Sequence, residues 1–245
     1  QGTRAYLADR TTESLGLLYA MHWPFRQVET ARGARRSAFH ERLLALGACM
    51  GELSGWERPN WFAPAGYALS AADLDKPDVL LNDNHPVVPD EPVREKWSFR
   101  RSNYFEHVGN ECLHVTKHVG IQDMSAFAKC EISGPGAEGW LDQLLTNAVP
   151  KKVGRVTLSY LLTQNGGVRS EFTVYKAAPQ RYYLVSAGAY ERHDHDYLKK
   201  AMPRDGSVNF ERLTTAMGVL VLAGPRSRDV LAKLTDMDLS NEAFP

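Results

Sequence analysis

Apolar positions recur at two spacings along this chain, first helical and later alternating, and the change predicts its elements. Ser37 reads as an N-cap, Phe39, Leu43, Leu44 and Leu46 supply an apolar helix face, and Gly47 or Gly51 ends the helix. Tyr104, Phe105, Val108, Cys112 and Val115 return every three or four residues and predict a second helix from Phe99 to about Lys117. Between the two, residues 59–95 scatter proline, aspartate and asparagine around short apolar stretches, the texture of an extended connection. Residues 1–58 differ again, because His22 to Arg36 mix aromatic and basic residues without a clean period. A domain boundary is therefore placed near Arg58.

Beyond Gly120 strands and helices alternate, and two segments resemble each other at an offset of 90 residues. Ile132 to Leu144 aligns with Leu222 to Leu234, sharing Gly134/Gly224, Pro135/Pro225, Leu141/Leu231 and Leu144/Leu234. Each copy reads as strand, turn, helix: glycine permits the sharp exit, proline opens the helix, and the leucines cover a sheet. Between the copies, Arg155–Thr163 and Val168–Lys176 alternate as strands joined by Gln164-Asn-Gly-Gly167, a hairpin signal. A third strand at Tyr182–Ser186 leads to a helix at Tyr190–Ala201, and a fourth at Val219–Leu222 enters the second copy. The expected fold class is α/β of the α+β kind, with mixed, largely antiparallel sheets and covering helices.

At 245 residues the chain is sized for one domain and a fraction. Its 29 basic and 29 acidic side chains cancel, which argues against long-range attraction of nucleic acid. No apolar run is long enough to span a bilayer, and Gln1–Arg10 has no secretory-signal pattern, so no membrane partner is expected. Cys49, Cys112 and Cys130 are far apart and outside any C-x-x-C pair, which fits three buried thiols and no metal site.

Four motifs carry possible chemistry. Gly134-Pro-Gly-Ala-Glu-Gly139 matches G-x-G-x-x-G, but proline stands inside the turn, and the second copy keeps only one glycine. A structural turn explains both copies better than a pyrophosphate cradle. His193-Asp-His-Asp196 offers metal-ligand types, yet adjacent helical residues point about 100° apart and do not converge on one ion. Arg35-Arg36 and Arg100-Arg101 read as solvated or paired surface. Glu171 lies in a strand of β-favouring neighbours beside the glycine hairpin, where it is either an outward-facing residue or a carboxylate that binds a basic amine.

His22-Trp-Pro24, Glu29-Thr-Ala-Arg32 and Gly55-Trp-Glu-Arg-Pro-Asn-Trp-Phe62 resemble the junction in the dimethylglycine and sarcosine dehydrogenase family, where a central FAD-oxidoreductase domain passes into a folate-binding domain. Asp123-Met-Ser-Ala-Phe-Ala-Lys129, the Gly134 turn, Asn147-Ala-Val-Pro150 with Gly154-Arg155, and Gly166-Gly-Val-Arg-Ser-Glu-Phe-Thr-Val174 are similar to the same family and, more distantly, to the aminomethyltransferase T-protein of the glycine cleavage system. The resemblance implies that residues 1–58 are the end of the central FAD-oxidoreductase domain and junction. Residues 59–245 become the N-terminal portion only of an aminomethyltransferase-type tetrahydrofolate-binding domain, without its C-terminal barrel.

In that family the FAD domain oxidises an N-methyl group to an iminium, which the folate domain captures as methylenetetrahydrofolate and which otherwise ends as formaldehyde. By this resemblance Glu171 matches the family's folate carboxylate and Tyr175 an aromatic four residues on. Leu161, Thr173 and Val185 match positions lining the pterin pocket, while Leu158 stands where T-proteins have tyrosine. The chain begins after the FAD dinucleotide fold and ends before a second pterin-binding glutamate. It is thus expected to bind tetrahydrofolate but not FAD, and to have as partners folate, the iminium product and the FAD domain of the same parent chain. The expected location is cytoplasmic, or the mitochondrial matrix in a eukaryote. A folate-fold module kept for binding or regulation, or a stand-alone aminomethyltransferase-like protein, are the alternatives.

Overall fold

The computed structural model describes residues 3–68, 79–81 and 96–244, and these form two compact units, Gln1–Asp123 with Leu220–Pro245, and Met124–Val219.

The first unit opens on α1 (Arg4–Leu17), capped by the Thr3 side chain, which accepts from Tyr6 N. The sequence pattern did not predict this helix: Leu7 and Leu15 are exposed and none of its residues is buried. The helix after Ser37 is short, α2 (His40–Ala45), and its N-cap is Phe39 without a side-chain cap; Ser37, expected as the cap, stands two residues earlier and its Oγ accepts from Phe39 N. Gly47 ends it at φ +89°, where a Cβ would lie 2.3 Å from the Ala63 carbonyl oxygen, whereas Gly51 lies in the following strand. That strand, β1 (Ala48–Leu53), pairs antiparallel with β2 (Trp56–Phe62). Ser54 and Gly55 join them, both at positive φ, as the tight two-residue hairpin turn requires. Arg58, where the texture of the sequence changes, lies inside β2.

Of the proline-dense stretch 59–95, Pro59–Phe62 complete β2, and the backbone of β3 (Val79–Leu81) pairs with β4 (Lys96–Ser98). Residues 69–78 and 82–95 lie outside the described residues, and with them most of the expected extended connection. The next helix, α3 (Phe105–Lys117), begins six residues after the predicted start, because Lys96–Ser98 are extended and the chain bends before the helix. Trp61 pins it by stacking on Tyr104 and His107 at 5.8 and 5.5 Å. Its apolar stripe is only partly covered, so Cys112 is exposed while Cys49 and Cys130 are buried, which corrects the expectation of three buried thiols. β5 (Gly120–Asp123) then pairs with β11 (Leu220–Ala223), which enters α6 (Ser227–Leu231).

The Trp-rich junction motifs have a local explanation. Arg32 grips Glu57 side-on, Nε to Oε1 at 2.9 Å and Nη2 to Oε2 at 2.6 Å, and also donates to the Met50 carbonyl. Both side chains are shut away from water. Burial alone would raise the Glu57 pKa, but the Arg32 fork and the Gly33 N–H outweigh it and hold the carboxyl below its ordinary value.

The second unit is one five-stranded sheet in the order β10-β6-β9-β8-β7, every pair antiparallel. Its strands are β6 (Ala128–Ser133), β7 (Val156–Leu162), β8 (Val168–Ala178), β9 (Arg181–Ser186) and β10 (Asn209–Arg212). Two helices, α4 (Ala137–Leu144) and α5 (Glu191–Ala201), cover one face. There Ile132, Leu161, Phe172, Val174, Tyr182 and Leu184 meet Trp140, Leu141 and Leu198 in the main core. The opposite face carries the alternate residues of the same strands, so the period of two divides packing from chemistry.

The two copies found in the sequence have the same backbone. Gly134 and Gly224 both sit at φ +115°, and the third residue of each turn donates to a distant carbonyl: Gly136 N to Ser207 O at 2.9 Å, and Arg226 N to His118 O at 3.0 Å. A Cβ at either glycine would lie 2.5 Å from that same carbonyl oxygen. The G-x-G-x-x-G segment is therefore a packed structural turn whose backbone is already engaged.

Candidate functional site

The Gln164–Gly167 loop forms as its sequence predicts, with Gly166 at φ +80° and Thr163 closing it through Gly166 N and Gly167 N. Just beyond it, β8 presents Glu171, Thr173 and Tyr175 to the open face of the sheet, while Ser170, Phe172 and Val174 turn to the helices. Across the ladder Tyr160 stands opposite Glu171, Leu158 opposite Thr173 on one side, and Val185 opposite Thr173 on the other. Tyr160 donates its hydroxyl to Glu171, and that hydrogen bond with the adjacent charge raises the phenol pKa.

Glu171, Thr173 and Val185 line a cleft of about 400 Å³ at the end of the sheet where β8 begins and β9 finishes. Tyr175 shares the face but sits further along the strand, beside Tyr183 at 6.0 Å between ring centroids. Leu161 does not join them. It is 1% exposed, pairs with Ser170 and belongs to the helix-side core, because its parity in β7 matches Ser159 and not Leu158 or Tyr160. Leu158, the departure from the T-protein pattern, is on the open face, and a tyrosine reaches the site from Tyr160 instead.

Asp194 is the cleft residue that sequence reasoning missed. It is fully buried on α5, accepts from Ser170 Oγ at 2.5 Å and from Ser186 Oγ at 2.8 Å, and lies 3.1 Å from His193 Nδ1. It thus ties the ends of β8 and β9 to the helix directly beneath Glu171. The signal was present in His193-Asp-His-Asp196, since positions 191, 194, 195 and 198 share the inward face of a helix. The four motif residues do not converge: His193 is exposed, Asp196 pairs with Lys200 at the surface, and His195 packs against Phe210 with its Nδ1 buried and unpartnered. Burial lowers the His195 pKa and, with the charge of Asp194, pushes the Cys130 thiol up to about 12, so that thiol is inert. The basic pairs are surface features, with Arg35 over Trp56, Arg36 near Glu41 and Arg101 over Phe105.

The site is thus an open-face carboxylate beside a tyrosine, lining a cleft at the end of an antiparallel sheet. The family described as GCVT N-terminal domain matches residues 39–245. The chain belongs to that family. Residues 1–37 match the FAD dependent oxidoreductase central domain. Among curated relatives, 4-methylaminobutanoate oxidase (formaldehyde-forming) of Paenarthrobacter nicotinovorans is 31% identical over 99% of this chain and 26% of its own length. Mitochondrial dimethylglycine dehydrogenase of Mus musculus is 33% identical over 99% of this chain and 25% of its own. The chain thus spans about a quarter of the length of these relatives. Glycine cleavage system aminomethyltransferase T of Bartonella henselae shares the fold, with a TM-score of 0.59 and 21% identity over 82% of this chain and 44% of that one. The α+β fold of aminomethyltransferase type, with antiparallel sheets and covering helices, is therefore established for this chain. No helix among the described residues is long and apolar enough to cross a membrane.

Proposed function

We propose that this chain is the folate-binding part of an FAD- and tetrahydrofolate-dependent N-methyl amine dehydrogenase, with Glu171 as the carboxylate that holds the folate amine. The observation that carries the reading is that Glu171 is an exposed acid on a strand whose other face is committed to the core, lining a cleft within the size range of small-molecule sites. The residues fit a reduced pterin: Glu171 accepts from an N–H, Thr173 offers a hydroxyl, and Val185 and Phe127 supply apolar contact. The relatives named above, an oxidase and a dehydrogenase of N-methylated amino acids, support the same class.

Tetrahydrofolate, when bound, supplies the nucleophilic amine for a one-carbon unit. The chain's part is to hold that amine and keep it oriented. Glu171, held by Tyr160, accepts a hydrogen bond from the amine and stabilises positive charge as it develops there. Asp194 fixes Ser170 and Ser186 and thereby the backbone on both sides of the cleft, so the carboxylate is positioned before ligand arrives.

In the parent enzyme Glu171→Gln should leave flavin reduction by the amine intact while folate capture falls roughly ten- to a hundred-fold, the loss of one charged hydrogen bond worth about 1.5 to 3 kcal/mol. Formaldehyde should rise at the expense of methylenetetrahydrofolate. Measuring both products at limiting folate checks this, and an unchanged product ratio would return Glu171 to the status of a surface residue.

A further inference from the structure

Arg169 has no part in the reading above, and three observations single it out. In the β7–β8 ladder Leu161 faces Ser170 and Leu162 faces Val168, so Arg169 is the extra residue of a bulge. Bulges next to functional sites re-aim a side chain out of the strand's alternation. The re-aimed guanidinium lies 4.3 Å from the centroid of the Tyr197 ring, a cation–π contact, and its Nε is buried without a hydrogen-bond partner. Finally, Arg169 is the one cation among the described residues lining the cleft, and the two carboxylates there are engaged elsewhere: Glu171 with Tyr160, and Asp194 with Ser170, Ser186 and His193.

A guanidinium held over an aromatic ring has its freedom of movement reduced, and the natural complement of its planar donors is a carboxylate bound side-on. The same chain shows that geometry elsewhere, where Arg32 uses Nε and one Nη on Glu57. Two carboxylates in the cleft disfavour the concentrated charge of a phosphate, so a carboxylate group, with one charge shared by two oxygens, is the better match. Arg169 and Glu171 line the same cleft, so one ligand carrying both an amine and a carboxylate can meet both. We infer that Arg169 is the carboxylate-recognition residue of this cleft, giving it an acid end for a ligand amine at Glu171 and a basic end for a ligand carboxylate at Arg169. This rests on the folate reading for Glu171. The carboxylate belongs either to the glutamyl tail of a folate or to an N-methyl amino acid.

The test titrates the wild-type chain and Arg169→Met with three probes: 5-formyltetrahydrofolate, 6-methyltetrahydropterin, which keeps the ring without a carboxylate, and sarcosine. The expected result is a loss of roughly ten- to a hundred-fold for a carboxylate-bearing probe and no change for 6-methyltetrahydropterin. Loss with the folate assigns the glutamyl tail, and loss with sarcosine alone assigns the amino acid. Arg169→Lys, which keeps charge but not the planar fork, should fall between and decides the matter if the methionine variant does not fold. Wild-type folate binding with no Arg169 dependence for either carboxylate probe overturns the inference and leaves Glu171 standing. If the wild type binds no folate, the Glu171 reading fails, and sarcosine then decides Arg169: an Arg169-dependent affinity supports it, and its absence overturns it.

Discussion

The two faces of the five-stranded sheet are built from the same strands and obey different constraints. On the helix-covered face, Leu161, Phe172, Val174 and Leu184 are shut from water, and polar groups there are tied down: Lys176 Nζ and Tyr182 Oη donate to Glu138 Oε2 at 2.6 and 2.5 Å, and Ser170 and Ser186 donate to Asp194. On the opposite face Val156 and Leu158 are 56% and 45% exposed and Glu171 is open. One residue's shift in parity therefore separates a side chain whose identity the core dictates from one that is free to serve a ligand. Glu171 and Thr173 lie outside the packed face, so the core places little constraint on their identity.

That contrast can be broken by mutation. Leu161→Ala should destabilise the protein most, by about 2 to 5 kcal/mol, through lost burial and a cavity in the helix-side core, whereas Leu158→Ala, its near neighbour on the open face, should cost less than about 1 kcal/mol. Denaturant midpoints measure both, and similar costs would dissolve the distinction. Asp194→Ala comes next, at about 1 to 3 kcal/mol, because it leaves two buried serine hydroxyls unpaired.

Glu138→Gln should cost about 1 kcal/mol or less at neutral pH, since the carboxylate is more than a third exposed and solvent screens it. Its pH dependence carries the sign. Hydrogen bonds from Lys176, Tyr182 and Lys151 lower the Glu138 pKa to about 2. The stabilisation is therefore present above the ordinary value of 4.5 and is lost as pH falls from there towards 2, so the difference between wild type and variant should vanish across that window. Glu171→Gln should be the smallest of all, within about 0.5 kcal/mol, because it leaves the packed face untouched.

Much of this arrangement was legible in the sequence, and the reasons are local. The Gly166-Gly167 hairpin, the alternation through Phe172 and Val174, and the Gly134 and Gly224 turns depend on short-range sterics that residue types report directly. The helix α1 was hidden because its apolar residues line no buried face. The resemblance points Leu161 to the pocket, whereas its parity with Ser159 in β7 sends it to the core. Asp194 was obscured by its neighbours in His193-Asp-His-Asp196, and Arg169 by a bulge that no alternation pattern reveals. Buried polar pairs are tertiary facts, set by what the helix lands on rather than by the helix itself.

The central claim is that Glu171 holds the amine of a folate. Titration of the wild-type chain and Glu171→Gln with 5-formyltetrahydrofolate, with denaturant midpoints recorded in parallel, tests it most directly. The account predicts wild-type binding, a roughly ten- to a hundred-fold weaker affinity in the variant, and coincident unfolding curves. Equal affinity in both proteins, or a loss of binding that merely tracks a loss of stability, would contradict it.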